Sequence, residues 1–180
     1  MTRRLTALIT LVAVAFFVSL GQLSFVSTLP GFLGQFNPLL LSLVFVVFFF
    51  DLESALIYAA CLGLFNDFFS FAPFGFNLSL WLATVFILHL LLRNWLTNRS
   101  FYTFAVLTLA AVLINNLLSA LLYLIITTLG PDKAIFFLSH LYFWRSLIWQ
   151  SVANLILAVI FFNLMNLVGR QLKPFFLAKY

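Results

Sequence analysis

Nine basic and four acidic side chains are too few to clothe the surface of a 180-residue chain in water. A soluble globular domain carries roughly 25% charged residues. This chain carries 7%, against 65% apolar residues and 25 phenylalanines. Lipid must therefore be the solvent for most of its surface. The formal net charge of +5 is accordingly weak ground for nucleic-acid binding, and no nucleic-acid partner is expected. Where the positive charges fall carries more information than their sum. Cys61 is the single cysteine, so an intramolecular disulfide and a thiolate metal site are both excluded. No hydrophilic stretch is long enough for a second domain, and residues 1–180 read as one transmembrane domain.

A helix crossing the hydrocarbon core needs about 20 apolar residues, with a usual range of roughly 17–25. Six segments qualify: 5–26, 36–50, 52–69, 76–92, 102–128 and 146–168, the second short and the fifth long. Pro30, Gly31 and Gly34 break the chain after the first, and Asp51 and Glu53 separate the second from the third. Pro73 and Gly75 lie between the third and fourth, RNWLTNRS after the fourth, and GPDK after the fifth. Arg3 and Arg4 before an apolar run look like an export signal. The run continues to about Val26, which suits an uncleaved first span. Residues 133–145, KAIFFLSHLYFWR, are too short to cross. Their aromatic rings and flanking charges suit a helix lying in the outer interface.

Lysine and arginine accumulate on the cytoplasmic side of a membrane protein. With six spans and both termini inside, the cytoplasmic set is Arg3, Arg4, Arg93, Arg99, Arg170, Lys173 and Lys179, against Lys133 and Arg145 outside. A five-span chain, with the second and third segments fused, would bury Asp51 and Glu53 at about 3 kcal/mol each even on lenient insertion scales. The expected fold is therefore all-α: a polytopic integral membrane protein with six transmembrane helices in one bundle and cytoplasmic N- and C-termini. A multi-pass protein of a cytoplasmic membrane follows, with lipid as its first partner.

One carboxylate stands among five phenylalanines in GLFNDFFSFAPFG, residues 63–75. Ala55, Ala59, Gly63 and Asp67 recur every fourth residue and form one stripe on the third span. Small residues at that spacing let a neighbouring helix approach closely. Asp67 at the end of the stripe has two readings: a solvated marker of the helix end, or an acid facing the bundle that fixes a turn or a partner. Two further stripes pair polar and small residues: Ala111, Asn115 and Ser119 on the fifth span, and Gln150, Asn154 and Ala158 on the sixth. Amides in hydrocarbon must find partners, each interhelical bond being worth about 0.6 kcal/mol on average. Helix packing within the monomer is the first role expected of Asn115, Ser119, Gln150 and Asn154; a ligand cavity or a partner helix is the other.

Catalytic signals are absent from the sequence. His89 and His140 have no second histidine or carboxylate at ligand spacing on the same helix, so no metal site is expected. There is no P-loop, no GxSxG and no HExxH. Asn98-Arg99-Ser100 fits a glycosylation acceptor but falls on the predicted cytoplasmic side. No cofactor is expected.

The third and fourth spans together resemble the rod shape-determining protein MreD family. That family carries a pattern close to Gly-x-x-x-Asp, a short Ser-rich turn, then Pro-x-Gly-x-Asn opening the next helix. The matching positions are Gly63, Asp67, Ser70, Pro73, Gly75 and Asn77; the chain departs at Phe71, where the family usually has glycine. The motif covers about fifteen residues, while length, six spans, the short second span and the basic loop after the fourth are similar in layout. The resemblance implies a non-enzymatic component of the bacterial elongation machinery in the inner membrane. It would associate with an MreC-like bitopic protein, and through it with actin-like MreB and the peptidoglycan synthases. It also implies that Asp67 ends one helix and bonds backbone N–H groups freed at the turn. The rival from another class is a substrate-binding membrane subunit of a transporter, similar to the S components of energy-coupling factor systems. That reading requires an outward cavity with several convergent polar groups.

Overall fold

The computed structural model describes residues 2–70, 72–95, 100–129 and 147–163. Every regular element among them is helical: α1 (Thr2–Ser24), α2 (Pro38–Phe49), α3 (Leu52–Phe69), α4 (Phe76–Asn94), α5 (Phe101–Leu129) and α6 (Leu147–Asn163). Two short 3-10 turns, Val26–Thr28 and Gly31–Gln35, lie between α1 and α2. Three helices are long and apolar enough to cross a membrane: α3, α4 and the Phe101–Leu122 part of α5. The apolar stretches of α1 (Ile9–Ser24) and α6 (Leu147–Asn163) are shorter. The expected interfacial helix at 133–145 lies outside the described residues, as do His140, Arg99 and every basic residue after Leu129.

Helix α2 is the centre of the bundle. Its sequence PLLLSLVFVVFF has no polar face, and a helix that is apolar all round is stable only when surrounded. Leu39, Leu40, Leu41, Leu43, Val44, Val46, Val47 and Phe48 are all buried. It packs against α1, α3, α4 and α5, and Phe45 meets Phe161 of α6 edge to face at 5.2 Å. Local chemistry sets its limits. Asn37 is the N-cap, its side chain accepting from the Leu40 N–H at 3.0 Å, and Pro38 occupies the first turn, where no N–H is needed. At the other end Phe50 and Asp51 are both extended and reverse the chain into α3. Asp51 and Glu53 are exposed there, with Glu53 in the first turn of α3, where a negative charge complements the helix dipole.

The expected second span, 36–50, thus becomes a 12-residue helix of about 18 Å. That is well short of the roughly 30 Å hydrocarbon core. Phe36 is extended and Asn37 is the N-cap at one end, Phe50 is extended at the other, and the 3-10 turns lie before Phe36. The helix starts where Pro38 can begin a first turn, which a hydropathy window cannot see.

The most extensive helix pair is α3 with α4. Ala55, Ala59 and Gly63 are buried along it, as is Asp67.

Candidate functional site

The turn between α3 and α4 is built around Asp67. The residue is 5% exposed, and its carboxylate accepts three backbone hydrogen bonds. The Gly75 and Leu78 N–H groups donate to Oδ2, at 2.9 and 3.2 Å, and the Asn77 N–H donates to Oδ1 at 2.8 Å. Helix N-termini leave their first N–H groups without intrahelical partners, and a side chain at the N-cap usually takes one or two of them. The N-cap of α4 is Gly75, which has no side chain to offer. Asp67, eight residues earlier on the preceding helix, does that work instead.

The accounting at this helix start is complete. The Phe76 N–H donates to the Pro73 carbonyl at 3.0 Å and the Ser79 N–H to the Gly75 carbonyl at 3.0 Å. With Gly75, Asn77 and Leu78 on the carboxylate, every N–H from Gly75 to Ser79 has a partner. Gly75 sits at φ 93°, ψ −7°, in the left-handed region that glycine enters at no steric cost. Ser70 Oγ accepts from the Ala72 N–H at 3.0 Å on the other side of the turn. Pro73 is exposed and Asn77 half-buried.

Gly63, one turn before Asp67, sets the distance between the two helices. A β-carbon there would lie 2.5 Å from Leu78 Cα and 2.9 Å from Leu78 N. Only glycine allows this approach, and it delivers the Leu78 N–H to the carboxylate. Gly63, Asp67, Gly75, Asn77 and Leu78 are therefore one hydrogen-bonded and packed unit.

A second polar assembly lies where α2 begins. The Asn37 N–H donates to Oδ1 of Asn154 at 3.1 Å, and Asn154 Nδ2 donates to the Gln150 carbonyl at 2.9 Å. Asn116 Nδ2 donates to Gln150 Oε1 at 2.7 Å and to the Val112 carbonyl at 2.8 Å. The amide bond between α5 and α6 thus uses Asn116, which the small-residue stripe did not select. Asn115 is adjacent, and its Oδ1 is buried without a partner. Ser119 Oγ donates to the Asn116 carbonyl at 2.8 Å. Between α2 and α3, Tyr58 donates its hydroxyl to Ser42 Oγ at 2.8 Å. Asn116 could have been found from sequence by testing both adjacent asparagines against the sixth span; Tyr58 with Ser42 has no sequence signal, since neither lies on a polar stripe.

Among the described residues, no three of His, Cys, Asp and Glu come together as a metal-binding group. His89 stays half-buried near the end of α4. Neither assembly contains a nucleophile held by a base. What the Asp67 unit does is mechanical: it locks the ends of two helices at fixed spacing. Comparisons with protein-family models, with curated proteins and with solved structures each gave no match.

Proposed function

We propose that this chain is a non-catalytic membrane scaffold of the bacterial cell-elongation machinery, similar to MreD. In this reading it crosses the cytoplasmic membrane six times, with both termini in the cytoplasm and the α3–α4 turn on the outer side. One observation carries the proposal: Gly63, Asp67, Gly75 and Asn77, which the resemblance rests on, meet in one turn through the Asp67 carboxylate and the Gly63 close approach. A rigid outer turn, held without a mobile acid or base, suits a docking element for a bitopic MreC-like protein. The seven-to-two distribution of Lys and Arg supports the orientation.

The experiment is depletion of the protein from its host. Cells of a rod-shaped bacterium should round or widen, and a tagged copy purified in mild detergent should bring down a bitopic partner. Unchanged shape with lost uptake of a small nutrient would replace this reading with the transport subunit. The transport reading draws on the polar side chains gathered near the start of α2, including Asn37, Asn154, Gln150 and Asn116. Orientation is tested separately by fusing a reporter active only outside the cytoplasm after Tyr180. Activity there would end the six-span topology.

A further inference from the structure

The two ends of the α3–α4 pair carry different chemistry. At one end Asp51, Glu53, Arg93 and Asn94 are exposed, and Trp95 beside them is 83% exposed. Charges mark water, and a tryptophan belongs at the boundary between water and lipid. At the other end the exposed side chains described between positions 68 and 79 are Phe68, Phe69, Ser70, Pro73, Phe74 and Ser79. Both serines are engaged within the turn. Ser70 Oγ accepts from the Ala72 N–H, and Ser79 Oγ donates to the Gly75 carbonyl at 2.7 Å. Phe68 and Phe74 meet edge to face at 5.9 Å and join the end of α3 to the turn. What this end presents outward is apolar.

Helix length fixes how far apart the two ends are. Glu53 and Phe69 are 16 positions apart on α3, and Phe76 and Arg93 are 17 apart on α4. At 1.5 Å per residue these spans are about 24 and about 26 Å. The hydrocarbon core is roughly 30 Å thick. With Glu53 and Arg93 at one boundary, both helices stop several ångströms short of the other, and any tilt shortens their reach further. Asp67 is the only Asp, Glu, Lys or Arg between Glu53 and Arg93. No second charge draws the turn out toward water.

Bonding within the turn meets the same requirement. A loop in water can leave N–H groups to solvent, whereas in hydrocarbon each must be paired inside the protein. Every N–H from Gly75 to Ser79 is paired, three of them on Asp67, so the carboxylate receives from the backbone the donors that water would otherwise supply. The choice of ring agrees. Belts at headgroup level use Trp and Tyr, whose polar atom reaches water. Phenylalanine has no such atom, and Phe68, Phe69 and Phe74 are 71%, 56% and 69% exposed.

We propose that the α3–α4 turn is submerged in the leaflet opposite Glu53 and Arg93, where Phe68, Phe69 and Phe74 contact lipid acyl chains. The depth follows from helix lengths and holds whichever leaflet is the outer one, so it does not rest on the scaffold reading. Under that reading, a bitopic partner meets this turn with its membrane-spanning helix and not with a soluble domain.

Nitroxide labels on single cysteines in a Cys61→Ala background measure the depth. The full chain is purified and reconstituted in dioleoylphosphatidylcholine vesicles. Collisions are compared for oxygen, which concentrates in hydrocarbon, and a polar nickel chelate present on both sides, which stays in water. Phe69→Cys and Phe74→Cys replace exposed side chains, and the first leaves the Phe68–Phe74 pair intact. Leu113→Cys, at an exposed apolar position within α5, is the hydrocarbon reference, and Trp95→Cys the aqueous one. Labels at 69 and 74 should give an oxygen-to-nickel ratio greater than unity, as at 113, while the ratio at 95 falls below unity. A ratio below unity at either turn position places the turn in water and overturns the proposal. A turn reached by neither reagent would be covered by a second copy of the chain, which overturns lipid contact as well. Because no host, partner or sidedness enters the measurement, its failure is distinct from failure of the scaffold reading.

Discussion

Gly63 of α3 and Leu78 of α4 meet backbone to backbone, so closely that a β-carbon on Gly63 would lie 2.5 Å from Leu78 Cα. Four residues further along α3, Asp67 receives the Leu78 N–H at 3.2 Å. Close approach and capping are therefore one device: the first brings the amide within reach, and the second holds it there.

Gly63→Ala separates the two. The added methyl meets backbone atoms, which cannot rotate away, so α4 must move. Overpacking of this kind costs about 1–3 kcal/mol, and here the shift also stretches the Leu78 bond. The variant should melt well below wild type in detergent. Ala59→Gly, one turn back on the same stripe, adds no bulk and should lose about 1 kcal/mol of helix propensity and about 0.8 kcal/mol for its buried methyl, with α4 left in place. Equal melting of Gly63→Ala and wild type would mean that the helices do not approach this closely.

At Asp67 the division of labour between the two oxygens sets the expected order of variants. Oδ2 takes two N–H groups and Oδ1 one. Asn offers a single acceptor and turns an NH2 toward the remaining donor, so it loses at least one bond. Leu loses all three, leaving donors unpaired at about 1–3 kcal/mol each where they are buried. Thermal stability should fall in the order Asp, Asn, Leu. Asn and Leu variants of equal stability but equally lost cell-shape function would assign the charge itself a role beyond the turn.

Gly75 is the remaining element of this turn. Its φ of 93° costs an L residue roughly 1–2 kcal/mol. Asparagine visits this region more readily than alanine does. A melting series should therefore rank Gly above Asn and Asn above Ala. Because no atom lies within 4 Å of a β-carbon at this position, the loss reports backbone strain alone. A tolerated alanine would mean that the turn adopts another conformation.

Hydropathy made the helical class legible because each helix is apolar enough to stand out from its connections. Asp51, Pro73 and Gly75 fall between helices and Glu53 in the first turn of α3, where a charge, a ring or a left-handed φ is tolerated. The 63–77 segment was legible too, because close approach and left-handed turns demand glycine by name. Two things were not. The start of α2 is set by the Asn37 cap and Pro38, and its level in the bundle by Asn154, 117 residues away. The choice between Asn115 and Asn116 depends on a helix rotation of about 100°, which a stripe of small residues does not resolve when both neighbours are amides.

That choice is open to a double-mutant cycle. Asn116 Nδ2 donates to Gln150 Oε1 at 2.7 Å, joining α5 to α6, while Asn115 Oδ1 has no partner. Interhelical hydrogen bonds in membranes couple by about 0.6 kcal/mol on average and reach about 1.7 kcal/mol. Asn116→Ala and Gln150→Ala should therefore be less destabilising together than the sum of each alone, by an amount in that range. Asn115→Ala with Gln150→Ala should be additive, since independent sites add within about 0.3–0.5 kcal/mol. Unfolding free energies from denaturant titration in mixed micelles supply all six values, with wild type. Coupling in the Asn115 cycle and none in the Asn116 cycle would rotate α5 by one residue and put the stripe of Ala111, Asn115 and Ser119 against α6.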